Sequence, residues 1–332
     1  MPFDLGQILY GLLCLVSLPL WVYVFWKGQP FIKPRLRIQS PIGLLDVGIL
    51  FLCWFVSQMM TVTILVYAID VPIEGLGKLE TRQELHSMGI ASLFQLVATV
   101  IGLAIIAARH GFAPRIFGWQ PENFWKDLRL GAIAFVLIVP VILTIQIVLT
   151  QFFDYEHITF SALEDEHGIY AIAITWISAV LVAPITEEIF FRGTFQAWLQ
   201  RQDITGGPSQ IETLGGGWTR HSKSEHKLLK LEPVTESVAK SLPYHPFRVV
   251  SDLKDSDRIL WLPIFVSAFV FAGIHFGQGP APIPLFVFAF ALGYLYRQTG
   301  SITTCIVLHL LLNGFSMFIF TMQTLFETAI PV

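Results

Sequence analysis

Eight stretches of the chain are apolar over most of their length: residues 5–26, 43–69, 88–108, 130–152, 170–199, 259–276, 281–296 and 302–325. Crossing a hydrocarbon layer of roughly 30 Å takes about 20 apolar residues as a helix, so each stretch predicts a membrane span. The seventh is short, and the fifth has an apolar start followed by a mixed end. The expected architecture is all-α, a polytopic transmembrane helical bundle of about eight spans. Residues 5–26 lack the basic leading region and small-residue cleavage site of a signal peptide and are expected to be a retained anchor.

One hydrophilic block interrupts the alternation, from Arg201 to about Asp257. It contains "TGGPSQ" and "LGGGW" with scattered charge of both signs and no clear period. It reads as a mobile cytoplasmic insertion, with a small regulatory or substrate-handling element as the alternative. Its histidines, His221, His226 and His245, lack metal-ligand spacing and are expected to be solvated. Residues 116–129, "IFGWQPENFWKDLR", mix aromatics with charge just before the fourth span. They predict an interfacial turn or short helix with Trp119, Phe124 and Trp125 at headgroup level. No internal repeat is visible, which disfavours an inverted-repeat transporter.

Composition strengthens the membrane reading. The chain is 54% hydrophobic and 14% charged, where a soluble domain carries about a quarter charged residues. A net charge of −3 gives no reason to expect nucleic acid as a partner. Cys14, Cys53 and Cys305 lie far apart in apolar runs, so packing thiols are expected rather than a disulfide or metal framework.

Charge placement also suggests an orientation. Lys27, Lys33, Arg35 and Arg37 follow the first span; Arg109, Arg115, Lys126 and Arg129 follow the third; most of the remainder follow the fifth. The intervening loops are nearly free of base: Lys78 and Arg82 lie in one, and residues 153–169 hold Asp154, Glu156, Glu164, Asp165 and Glu166 instead. An excess of Lys and Arg marks cytoplasmic loops. Both termini are therefore expected outside and the large loop inside, in an integral protein of the plasma (inner) membrane.

Ionisable residues within spans cost about 2.5–3.5 kcal/mol each on insertion scales, which makes them candidates for function. Here they concentrate in three helices: Glu187, Glu188 and Arg192 in the fifth, His275 near the end of the sixth, and His309 with Asn313 in the eighth. Glu188 and Arg192 are i and i+4 with the acid N-terminal, the favourable order for an ion pair. Glu187 lies about 100° around the helix from Glu188 and has no such local partner, so it is the carboxylate available for acid–base work. Pro184, one turn earlier, removes a helix hydrogen bond and predicts a kink. Phe271 lies on the face of His275 one turn earlier, and Gly273 and Gly277 permit close helix approach. His309 and Asn313 are again i and i+4, an imidazole and an amide on one face that could donate to a developing oxyanion. From composition and spacing alone, an enzyme and a transporter using Glu187 as a proton or ion site both stay open.

"EEIFFRG" (187–193) resembles the EExxxR motif of the CPBP intramembrane proteases, a family that includes the type II prenyl-protein (CAAX) endopeptidases and bacteriocin-processing or immunity proteins. "FAGIH" (271–275) is similar to that family's FxxxH motif and "HLLLN" (309–313) to its HxxxN motif, in the same order. The resemblance covers roughly 170–325. It divides the chain into residues 1–165, four transmembrane helices, and 166–332, a CPBP-like catalytic transmembrane domain carrying the insertion at about 201–257.

The resemblance implies an endopeptidase acting on membrane-associated or lipidated protein substrates, with the bilayer and such a substrate as partners. Carried over by motif, Glu187 would be the general base, His275 would help hold water, and His309 and Asn313 would form the oxyanion hole. Glu188, Arg192 and Phe271 would support the site. No cofactor is expected. Zinc on Glu187, His275 and His309 is the alternative, a two-His, one-carboxylate set. A non-catalytic immunity or export-assisting relative and an ion-coupled transporter are the rival functions. There is no HExxH, no GxSxG-like loop and no pair of intramembrane aspartates to suggest another class of intramembrane protease.

Overall fold

The computed structural model describes residues 5–27, 32, 35, 40–72, 79, 81–111, 114–153, 168–205 and 261–329. Most of the insertion with its three histidines, the acidic run 154–166, and Lys33, Arg37 and Lys78 lie outside the described residues.

Every predicted span coincides with a helix. These are α1 (Leu5–Lys27), α2 (Leu44–Ala68), α3 (Thr81–His110), α4 (Phe124–Thr150), α5 (169–205), α6 (Trp261–Gly273), α7 (Pro282–Thr299) and α8 (Ile302–Ala329). No strand occurs among the described residues. Six of the helices, α1 to α5 and α8, are long and apolar enough to cross a membrane. The described part of α6 is 13 residues, roughly 20 Å at 1.5 Å per residue. It is followed by turns through residues 274–281 that lead into α7. Two short 3₁₀ turns, Pro114–Phe117 and Pro121–Asn123, lead into α4. They leave Trp125 largely exposed and Trp119 and Phe124 partly so, as interfacial anchors should be.

The bundle is apolar outside. In α1 the one buried residue is Ser17, while Leu15, Phe25 and Trp26 are exposed, the pattern of a helix that faces lipid. α5 is the opposite. It has the largest buried share of the six spans, 39% of its most apolar window, and it touches α2, α3, α6, α7 and α8. Three apolar clusters meet on it, through Ala197, through Phe190 and Phe191, and through Ala171 and Val180. The helix bearing the paired glutamates is thus the central one.

Backbone approach sets how closely these helices pack. At Gly131 of α4 a Cβ would lie 2.7 and 2.8 Å from Val307 side-chain atoms and 3.0 Å from the Thr304 carbonyl oxygen of α8. Because one obstacle is backbone, Gly131→Ala should force α4 and α8 apart. Thermal unfolding in detergent should show a loss of about 1–3 kcal/mol, the usual cost of overpacking; an unchanged midpoint would contradict this packing.

Polar groups tie one end of the bundle together. Asp127 is fully buried, paired with Arg35 and accepting from the Ser301 hydroxyl at 2.7 Å. Asp46 accepts from the Gly43 amide at 2.8 Å, which caps α2, and pairs with Arg109 at 3.0 Å and His110 at 2.8 Å. Arg201 donates to the Pro41 carbonyl at 2.8 Å. Gly300, at φ +63°, ends α7 in the left-handed conformation with its amide on the Tyr296 carbonyl. The three cysteines are free thiols, with Cys305 buried.

Candidate active site

The site is built on an irregular part of α5. Two π-helical stretches, Ile177–Val182 and Ile189–Gln196, flank a single α-helical segment, Ala183–Glu188. Pro184 carries no N–H and cannot continue an α ladder, and the chain answers with a widened turn immediately before it. The Thr194 hydroxyl donates to the Ile189 carbonyl at 2.9 Å, five residues back, which fits the wider winding. Glu187 and Glu188 close the α segment between these two stretches.

The two glutamates have different surroundings. Glu188 has a fully buried side chain, and its Oε1 accepts from Arg192 Nη1 at 3.2 Å and from His309 Nδ1 at 2.9 Å. The Arg192 guanidinium is also fully buried. It donates through Nη2 to the Ala289 carbonyl at 2.9 Å and lies 5.0 Å from the centre of the Phe271 ring. Glu187 keeps 15% of its side chain exposed, and its Oε2 lies 3.8 Å from His309 Nε2, beyond direct hydrogen bonding. His309 thus sits between the carboxylates with one ring nitrogen toward each. Because Glu188 can only accept, Nδ1 carries a hydrogen and Nε2 is the nitrogen presented to Glu187.

His275 lies in the turn just after α6. Its Nδ1–H donates to the Phe271 carbonyl at 2.8 Å, which leaves Nε2 unengaged by that bond. His275, His309, Glu188 and Arg192 all fall within electrostatic range of the Glu187 carboxylate. Phe271 is the common wall: its ring is 5.1 Å from that of His275 and 6.1 Å from that of His309. His275 follows the C-terminal end of α6 at Gly273, in the turn that leads into α7.

Asn313 is placed differently. Its Nδ2 donates to the Ala179 carbonyl, on the first π stretch, at 2.8 Å. It lines a cavity of about 630 Å³ with Leu143, Gln146, Pro284, Phe315 and Phe320, and Glu187, His275 and His309 do not line that cavity. One amide hydrogen remains beyond the bond to Ala179. The i,i+4 spacing from His309 puts Asn313 on the same face, but the amide spans toward α5 instead of standing beside the imidazole.

The zinc alternative finds no support in this arrangement. Among the described residues no three His, Cys, Asp or Glu side chains are grouped closely enough to hold a metal ion. No metal site is thus shown for Glu187, His275 and His309, and metalloendopeptidase chemistry is not supported.

Sequence reading missed some contributors. The ring of Phe288 meets His309 edge to face at 5.0 Å, and the Ala289 carbonyl receives Arg192. Both sit on α7, whose apolar sequence carries no charge near them; the one signal is that a buried Arg192 has more donors than Glu188 alone can meet, so some carbonyl must accept from it.

No curated protein and no solved structure matches the chain. One family model does, that of the type II CAAX prenyl endopeptidase Rce1-like family, over residues 169–215 and 247–315. The matched residues contain all three motifs, on α5, at the end of α6 and on α8. The described helices 169–205 and 261–329 carry those motifs around one buried Glu–Arg–His group, and over the matched residues this integral membrane protein is similar to the type II CAAX prenyl endopeptidase Rce1-like family, which supports a CPBP/CAAX protease.

Proposed function

We propose that this chain is an intramembrane endopeptidase in which Glu187 activates water, and that its substrate is a membrane-associated or lipidated protein, with a prenylated CAAX terminus the first to test. The carrying observation is the split between the glutamates. Glu188 is buried and committed to Arg192 and His309, whereas Glu187 is partly exposed and faces the free nitrogen of His309. A base needs access to its substrate water, and only the first glutamate has it.

The chemistry proceeds with every proton accounted for. Glu187 takes a proton from water as the water oxygen bonds to the scissile carbonyl carbon. The resulting oxyanion is met by Nε2–H of His309 in its imidazolium form, which Glu188 pairs at Nδ1–H, while the Asn313 amide stays bonded to the Ala179 carbonyl on a separate cavity. The proton on Glu187 passes to the leaving nitrogen as the C–N bond breaks. Glu188 does not react. It holds His309 Nδ1–H so that Nε2 points at the reacting side, and Arg192 balances its charge. Phe271 and Phe288 fix the planes of the two imidazoles.

The basic residues near Asp46 and Asp127 gather at one end of the bundle, and the positive-inside rule turns that end toward the cytoplasm, with both termini outside, in the plasma membrane.

The experiment is hydrolysis of a prenylated CAAX peptide by the purified chain in detergent or liposomes. Cleavage that persists in a metal chelator is the expected result. Activity lost to the chelator and restored by zinc would sink the metal-free mechanism. Ion flux in proteoliposomes that vanishes in Glu187→Gln, with no hydrolysis, would replace the protease reading with a transporter.

A further inference from the structure

The two helices before α4 carry none of the matched motifs, yet they grip α5 on both sides of the glutamate pair. On one side, Gln95 Nε2 of α3 donates to the Thr186 hydroxyl at 2.9 Å. Thr186 directly precedes Glu187, is fully buried, and donates its own hydrogen to the Val182 carbonyl at 2.8 Å. On the other side, the Trp54 indole of α2 stacks on Phe190, two residues after Glu188, with centroids 4.8 Å apart and planes 24° from parallel. The two grips are joined to each other: Trp54 Nε1 donates to the Thr99 hydroxyl at 2.9 Å, which donates to the Gln95 carbonyl at 2.8 Å.

We infer that Trp54, Thr99 and Gln95 form a brace that aims Glu187, with Gln95 as a positioning residue for the reaction. The inference rests on the proposed role of Glu187. Its physical ground is the winding of α5. Between two π stretches, and with Pro184 removing a backbone bond, the α segment 183–188 is six residues long. Where the winding changes on both sides, one uniform ladder does not set the rotation of this segment. A hydrogen bond at position 186 and a stacked ring at 190 set that rotation from outside. Both come from residues 54–99, which the family match does not reach, so this part of the site belongs to this chain's own N-terminal helices.

The test is kinetic. Gln95→Met and Thr186→Val each remove the bond at nearly constant volume. Each should lower kcat by about 10- to 100-fold, the scale of a roughly 1 Å misplacement, with KM changed less than about threefold. Thr186→Ser keeps the hydroxyl and should stay near wild-type activity. The double variant Gln95→Met/Thr186→Val should be no worse than Thr186→Val alone, because both break the bond between these residues and only Thr186→Val also removes the bond to Val182. Loss of activity only in proportion to unfolded protein, independent multiplying effects, or wild-type kcat in Gln95→Met would each overturn the brace. A second readout keeps the outcome separate from the protease reading: the rate at which a hydrophobic carbodiimide modifies Glu187, followed by mass spectrometry. If the wild-type chain cleaves no peptide, the proposed function fails. The brace then stands if Gln95→Met shifts that rate severalfold and falls if the rate is unchanged.

Discussion

Glu187→Gln should lower peptide-bond hydrolysis by about two to four orders of magnitude, the range general base catalysis contributes, while leaving the fold intact. Both halves of that result come from the same geometry. The Glu187 side chain is partly exposed and its Oε2 stands 3.8 Å from His309 Nε2, beyond direct hydrogen bonding, so glutamine replaces it without breaking a hydrogen bond. An amide cannot take a proton from water, so the chemical step loses its base. Glu188→Gln should behave otherwise. It weakens the bonds that Arg192 and His309 both make to Oε1, and activity and thermal midpoint should fall together. Measuring kcat and the unfolding midpoint for both variants separates the roles. Full activity in Glu187→Gln at wild-type stability would remove the base assignment.

That contrast was partly readable from spacing. Glu188 and Arg192 stand at i and i+4, where opposite charges meet on a helix, and the structure has the pair at 3.2 Å. The eight apolar stretches were legible for a similar reason, since bilayer thickness imposes a length that composition shows directly. What spacing could not show is winding. A 3.6-residue period does not hold throughout α5: two stretches are π-helical, and the Asn313 amide meets Ala179 on one of them instead of standing free beside His309. Partners far along the chain were equally hidden. Asp127 and Ser301 are 174 residues apart, and His309 and Glu188 are 121 apart. Gln95 gives no such signal, since an uncharged amide in α3 costs little to insert and its partner, Thr186, lies 91 residues away.

The largest expected stability effect lies at Arg192. Its side chain and that of Glu188 are both fully buried, and two bonds hold the guanidinium, one to Glu188 and one to the Ala289 carbonyl of α7. Removing one member of a buried pair leaves an uncompensated charge, at a cost of about 3–5 kcal/mol. Arg192→Leu should therefore destabilise the protein by that amount, since Glu188 would keep only His309 and Ala289 would lose its donor. Arg192→Lys should recover only part of the loss, because an ammonium group is one point charge and cannot reach both acceptors in the planar fork. The informative variant is the double one, Glu188→Gln/Arg192→Leu. With both charges gone the desolvation penalty disappears, so the double variant should be more stable than Arg192→Leu alone while remaining poor in hydrolysis, because His309 has lost its anchor. Equilibrium unfolding in mixed micelles gives all three values. Arg192→Leu within about 1 kcal/mol of wild type, the scale of an exposed ion pair, would mean that the pair is solvated and that Glu188 is as accessible as Glu187, and the division of labour between the two glutamates would fall with it.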